Sequence, residues 1–246
     1  MKRLASCACG ILTVAASAVG QYSPPAGAGD ILDYFSPHLL AGGPRMTSTQ
    51  SPVSDALNPA ASAAVQRGKL DLSYIGIADF AGTEQGLGSA INLGVTIPTR
   101  AGVLAASAHY AASGFTALNI GPLASLHASF AKDIFPNFYV GAGLQTQLGG
   151  IDGTFAWGLA ADLGVLHRVG DVGFLRDLRW GAAIRGLGKG FQPTGATATA
   201  YPADFTPALG AAARLIDTDA VTLATSLDLT FPTFSDVRAD IGLELG

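Results

Sequence analysis

Apolar and polar positions alternate with a period of two along the last stretch of the chain. Val221, Leu223, Thr225, Leu227, Leu229 and Phe231 fall on one phase, and Thr222, Ala224, Ser226, Asp228 and Thr230 fall on the other. A turn at Pro232-Thr233-Phe234-Ser235-Asp236 follows, and then Val237, Ala239, Ile241, Leu243 and Leu245 alternate with Arg238, Asp240, Gly242 and Glu244. This period predicts a β-hairpin and is incompatible with a helix. Each run is about ten residues long, which matches a tilted bilayer-crossing strand and exceeds the usual globular one. The same reading, carried back from residue 221, predicts strands near 69–80, 87–97, 102–112, 123–131, 138–148, 154–166, 178–187 and 207–216, with two more at 221–231 and 237–245. In the first of these the apolar phase slips between Tyr74 and Ile75, which predicts a bulge.

The links between strands differ in length. Those at 98–101 and 217–220 are tight, and both join an even-numbered strand to the next odd one; the longest, 188–206, joins an odd strand to an even one. Outer-membrane barrels have short periplasmic turns and longer external loops, so the first strand is expected to run outward from a periplasmic N-terminus. The stretch 169–177 is longer than this scheme requires. Phe135, Phe138, Tyr139, Trp180, Phe231 and Phe234 gather near strand ends, as expected of an interfacial aromatic belt.

Composition narrows the class. Of 246 residues 49% are hydrophobic and 13% charged, and the mean hydropathy is +0.37. A soluble domain carries about a quarter charged residues, so this chain has too little charge to face water everywhere. After the N-terminus no apolar run reaches the roughly 18 residues of a membrane-spanning helix. A closed β-barrel is the remaining membrane architecture, because lipid offers no hydrogen-bond partners to open strand edges. The net charge of -4 gives no basic footprint for nucleic acid. Lys2 and Arg3 ahead of the apolar run 11–19 predict a signal peptide over 1–20, hence export. Both cysteines, Cys7 and Cys9, fall inside it, leaving 21–246 without disulfides or thiolate metal ligands.

Between 21 and 68 alternation is lost. Ser54 or Asp55 is placed to cap a short helix, Asn58-Pro59 interrupts it, and 60–66 resumes helical composition. The segment is expected to form a compact plug ahead of the strands at 69–246. Ala41-Gly42-Gly43, followed by Asp55-Ala56-Leu57-Asn58-Pro59-Ala60, resembles the N-terminal hatch of the FadL-like outer-membrane proteins, which include long-chain fatty-acid transporters and an uncharacterised spirochaete branch. The stretch 201–246 looks like a recurrent strand, tight turn and strand unit of the same family. The resemblance implies an all-β protein, an antiparallel transmembrane β-barrel in the outer membrane, its lumen obstructed by a hatch containing Asn58, Pro59 and Ala60. It further implies partners of two kinds, outer-membrane lipid around the wall and hydrophobic small molecules such as fatty acids inside, with no cofactor. The chain departs from the family in two respects. It offers about ten strands where the family barrel has on the order of fourteen, and its last residues, Glu244-Leu245-Gly246, lack a terminal aromatic.

Candidate chemistry is sparse. There is no nucleophile elbow, phosphate loop, zinc-protease helix or calcium loop, and no convergent acid, base and nucleophile set, so an enzyme is not expected. Gly141-Ala-Gly143 and Gly186-Leu-Gly188 lack a following helix and read as structural small residues on the inward side. His109 and His127 are the most distinctive pair. A hairpin centred near Leu118 makes them face each other, on the polar phase with Ser107, Ser125 and Ser129. Neutral imidazole is a common metal ligand, yet no acidic ligand accompanies them in sequence, so a hydrogen-bonded polar pair lining a lumen is preferred to a metal site. The inward phase also carries Asp71, Asp162, Arg179, Arg185, Arg214, Asp228, Arg238, Asp240 and Glu244. Their mixed signs predict mutual neutralisation, because an isolated charge in a low-dielectric interior is costly.

Overall fold

The computed structural model describes residues 46–47, 52–78, 87–113, 122–151, 154–189, 205–218, 221–232 and 237–246. The expected signal peptide, the small-residue stretch at Ala41-Gly42-Gly43 and Phe234 lie outside these residues. Ten strands form one antiparallel sheet in sequence order: β1 Lys69–Ala78, β2 Leu87–Pro98, β3 Val103–Ser113, β4 Leu123–Phe135, β5 Phe138–Ile151, β6 Thr154–Val172, β7 Leu175–Lys189, β8 Thr206–Asp217, β9 Thr222–Thr230 and β10 Arg238–Leu245. Among the described residues β1 pairs with β2 alone and β10 with β9 alone, so the sheet is open along these two edges.

The structure extends several expected strands. β4 runs past Ala131 to Phe135 and turns at Pro136-Asn137, with Asn137 in the left-handed region at φ 62°. The long stretch at 169–177 is strand as well: β6 continues to Val172, β7 starts at Leu175, and the turn is Gly173-Phe174 with Gly173 at φ 62°. Gly170, at φ 85°, belongs to a register shift within the β6–β7 ladder and not to a loop. Every link from an even to an odd strand is therefore four residues or fewer. The bulge expected at Tyr74-Ile75 is absent, because β1 pairs with β2 without a break from Lys69↔Thr96 to Ala78↔Leu87. Ile75 keeps its phase and turns to the inner face, which accounts for the apparent slip.

Two short 3-10 helices, Pro52–Ala56 and Pro59–Ala64, lie on one face of the sheet, here the inner face. The first touches β1 to β4 and the second β3 to β6, while the backbone of Met46 reaches Gly181 in β7 and Asp228 in β9. Nine strands laid flat at ~4.8 Å spacing would be roughly 40 Å wide, whereas each 3-10 helix is only about 10 Å long. One short segment touches both sides of such a sheet only if the sheet curls around it.

The two faces have opposite character. Most inward positions are small or polar, including the buried Asn92, Ser107, His127, Ser129, Asp162, Ser226 and Asp228, while large apolar ones such as Val103, Tyr139 and Leu166 pack on the inner segment. Outward positions are large and apolar in every strand, among them Leu72, Leu93, Leu104, Leu126, Leu144, Leu163, Ile184, Leu209, Leu227 and Ile241, all exposed. Two apolar clusters join the segment to the wall: Ala60 and Ala63 with Val103, Ala131, Tyr139 and Leu166, and Met46 and Leu57 with Ala183 and Ala208. Tyr139, expected in the aromatic belt, is instead in the first of these, since its position in β5 falls on the inward phase.

Candidate functional site

Asn58 ties the inner segment to the sheet. It is fully buried and caps the second 3-10 helix, its Oδ1 accepting from the Ala60 amide at 3.1 Å. Pro59 follows at the first helical position, where its fixed φ suits the helix and its missing N–H costs nothing. The expected break between two short helical pieces is present at Leu57-Asn58, but Ser54 and Asp55, expected as caps, lie inside the first helix, and Pro59 begins the second. The Asn58 Nδ2 donates to the Met46 carbonyl at 2.7 Å and to the Val165 carbonyl at 3.1 Å. One side chain joins Met46, the 3-10 helix and β6. Asn58→Ala leaves a helix amide and a buried carbonyl without their partner; each such group costs about 1–3 kcal/mol. The expected loss is ~2–6 kcal/mol for docking of the inner segment, read by its protection from protease, with Asn58→Asp recovering the cap alone.

Close contact at this point depends on the wall having no side chains. Gly141 faces Pro59 and Ala60, Gly164 faces Asn58 and Pro59, and Gly181 faces Met46 and Asn58. A Cβ at any of them would meet the inner segment at less than van der Waals distance. Gly141 and Gly164 pair across β5 and β6, and Gly181 and Gly210 across β7 and β8, so the four form a stripe that admits the segment against the sheet backbone.

The second half of the site is ionic. His127, buried on β4, lies between two carboxylates: its Nε2 is 3.2 Å from Asp162 Oδ2 on β6, and its Nδ1 is 3.7 Å from Asp55 Oδ2 on the first 3-10 helix. Ser129 donates its hydroxyl to the same Asp55 oxygen. Asp162 sits at a register shift in the β6–β7 ladder, and its Oδ1 accepts the Gly186 amide at 2.8 Å; Gly186 takes φ 76°, a conformation that favours glycine. The imidazole therefore stands between a carboxylate of the inner segment and one of the wall, at ion-pair distance from both but hydrogen-bonded to neither. Because its two nitrogens address carboxylates from opposite sides of the ring, these donors do not converge on a single point as metal ligands must. Among the described residues no group of three or more His, Cys, Asp or Glu side chains is arranged for a metal ion.

His109 and His127 do share the inner face, but they are not opposite. The β3–β4 register pairs His127 with Ser107 and His109 with Ser125, because the hairpin is centred one residue earlier than expected. His109 Nδ1 meets Asn92 Oδ1, and Asn92 Nδ2 donates to Ser73 at 3.2 Å, which makes a separate polar row across β1, β2 and β3. Sequence reasoning placed Asp162 and both histidines inward but assigned Asp55 only a capping role. Its partners His127 and Ser129, both on β4, are more than 70 residues away in the chain.

Burial raises the Asp55 carboxyl from 3.8 to about 6, against the opposing pull of His127 and of hydrogen bonds from Ser129 and Ser62. A docked Asp55 keeps its proton up to about pH 6, whereas a released one loses it near 3.8, so docking takes up a proton in between. Its contribution is complete below 3.8 and fades as pH rises through 6. Docking of the inner segment is expected to weaken about tenfold from pH 5 to pH 7 through this group. Protection of the Ala60 and Ala61 amides from hydrogen exchange, corrected for intrinsic rate, reads the effect. Asp55→Asn should flatten the profile.

Comparison with protein-family models, with curated proteins and with solved structures gives no match to this chain.

Proposed function

We propose that this chain is an outer-membrane β-barrel of the FadL type, exported by its signal peptide, with residues 21–68 as flexible segment and hatch and 69–246 as wall. On this reading it takes up hydrophobic ligands such as long-chain fatty acids across the outer membrane. The observation that carries the reading is the inversion of the two faces: large apolar side chains point outward and polar ones inward. In water that outward surface would be an aggregation hazard, and in lipid it is the favourable one.

Three further features support it. The even-to-odd links are uniformly short, as periplasmic turns are. Aromatic rings gather near both ends of the wall. At the tight-turn end Phe138 contacts Phe135, His167 and Trp180 at centroid distances of 6.4, 5.7 and 6.4 Å, and Phe155 and Trp157 are exposed at the other. Trp157 and His167 lie on one strand, ten residues and hence ~33 Å apart, or about 25 Å along the normal for a strand tilted by ~40°, the height of an outer-membrane apolar band. The edges β1 and β10 then pair with each other in the bilayer. They run antiparallel, as the first and last strands of an even-numbered meander must, and the short segment from Met46 to Ala56 approaches both sides of the sheet.

A second reading, a non-transporting scaffold or secretion-associated barrel, is favoured by how firmly Asn58 and the glycine stripe hold the segment in place. A third, a periplasmic lipid-binding β-protein, would need the outward leucines to face water. Equilibrium titration of the detergent-folded protein with a fluorescent long-chain fatty acid separates the first two. Saturable binding is expected for uptake, and its absence would favour the scaffold.

A further inference from the structure

A cavity of about 180 Å³ lies at the tight-turn end of the wall, between the β2–β3 turn, the end of β4 and the residues that leave the second 3-10 helix. Its lining carries three charged side chains, Arg100, Lys132 and Asp133, together with Gln66, and all four are exposed. None of the three charges has an opposite charge within 4 Å among the described residues. The ion pairs of this rim gather instead at β6 to β8, where Arg176, Arg179 and Arg214 each have an aspartate.

The strand phase gives these charges a direction. Of the charged residues described in β1 to β5, which are Lys69, Asp71, Lys132 and Asp133, Lys132 alone falls on the outward phase. It follows Phe130, which pairs with Leu104, as Leu104 pairs with Ile97, so three exposed apolar side chains form a row across β4, β3 and β2. Lys132 itself pairs with Val140, one outward step from Phe135 and Phe138 of the aromatic belt. Such belts mark the level of the lipid head groups, and a long basic side chain there carries its charge out of the hydrocarbon. Asp133 takes the opposite phase, so the site has a cation on the lipid side and a carboxylate on the lumen side. Arginine and lysine are the donors that hold a phosphate, and a carboxylate accepts from a primary ammonium. A head group carrying both, a few atoms apart, uses all three charges.

Resting on the reading of the chain as a barrel with its tight turns in the periplasm, we infer that this cavity binds the head group of a phosphatidylethanolamine of the periplasmic leaflet. Arg100 and Lys132 hold the phosphodiester, Asp133 accepts from the ammonium, and the acyl chains lie along the row Phe130, Leu104 and Ile97. Ala63 and Gln66 also line the cavity, so the lipid touches both the wall and the end of the inner segment.

The test titrates four dioctanoyl lipids into the full-length folded protein in amphipol and reads binding by native mass spectrometry: phosphatidylethanolamine, phosphatidylcholine, phosphatidylglycerol and the uncharged dioctanoylglycerol. Each basic residue at a head group contributes about a fivefold factor, so phosphatidylethanolamine should bind roughly thirtyfold more tightly than dioctanoylglycerol. Its margin over phosphatidylcholine, whose quaternary ammonium cannot donate to Asp133, should be about fivefold. Arg100→Gln with Lys132→Gln, both at exposed positions that leave the ladders intact, should remove the first margin and leave dioctanoylglycerol unchanged. Asp133→Asn should remove the second margin alone. Equal binding of phosphatidylethanolamine and dioctanoylglycerol to the wild type would overturn the inference, as would loss of both alike in the double variant. Tighter binding of phosphatidylglycerol would overturn the ethanolamine assignment, and equally tight binding of free phosphoethanolamine would overturn the lipid as its source. Failure of all four lipids to bind would instead sink the reading of the outer face as lipid-facing, and this inference with it.

Discussion

Replacing Leu93 and Leu144 together by arginine is expected to destabilise the lipid-embedded protein by ~4–8 kcal/mol, a large share of the roughly 5–15 kcal/mol that holds a typical domain folded. Both side chains are exposed, Leu144 by 62%, and each stands near the middle of an outward-facing strand run, on β2 and β5. An arginine at the midplane of a barrel's lipid face costs about 2–4 kcal/mol, falling towards zero near the interfaces. The two sites lie three strands apart, so their effects should add. On a surface facing water the same exchanges would shift stability by no more than ~0.5 kcal/mol each and improve solubility. Urea titration of protein folded into vesicles, with Tyr110→Arg near the strand end as the shallow comparison, reads the difference. The reading of the outer face as lipid-facing is wrong if the double variant is as stable as the wild type.

The second large effect is expected at the glycine stripe. In Gly164→Val the new Cβ would lie 2.9 Å from Cδ of the rigid Pro59 ring and closer still to Asn58 Oδ1, the tip of a side chain held by three hydrogen bonds. Overpacking costs about 1–3 kcal/mol by itself. Displacing Asn58 adds the loss of its bonds to Met46, Val165 and Ala60, so the total should be ~3–9 kcal/mol for docking of the inner segment. The strand ladders do not depend on that docking. The variant should therefore keep its β-sheet circular dichroism while protease cleaves within residues 52–64, which are buried or half-buried in the wild type. Gly76→Ala, whose Cβ would meet only the Tyr74 ring at 3.7 Å, should behave as wild type. Loss of the sheet together with the segment would show that the two form one cooperative unit.

Strand positions were legible because a half-buried strand writes its period into the sequence. All ten were found, with ends within three residues except at β4 and β6, which run four and six residues further, and the apolar phase correctly named the outward face at Leu227, Ile241 and Leu243. The errors arose where one signal has two meanings. Gly170 and Gly173 read as a loop although one marks a register shift and the other a two-residue turn. Tyr139 near a strand end read as belt although its phase put it inside. The hairpin centre between β3 and β4 was misplaced by one residue, because parity fixes the face of a side chain and leaves its partner undetermined. The Asp55–His127–Asp162 contact was not legible at all, since it joins three distant elements and becomes visible only when the sheet curls. Asn58 was found through the family resemblance, but its bonds to Met46 and Val165 came from the structure.

The central claim is that the sheet closes in a membrane with its apolar face outward. It is tested most directly by refolding the chain from Gln21 onward in detergent and, separately, in buffer, then comparing the electrophoretic mobility of unheated and boiled samples alongside circular dichroism. A β-rich species that forms only in detergent and shifts its mobility on boiling is the predicted result. A β-rich, monomeric species that folds in buffer and shows no heat-dependent shift would contradict it.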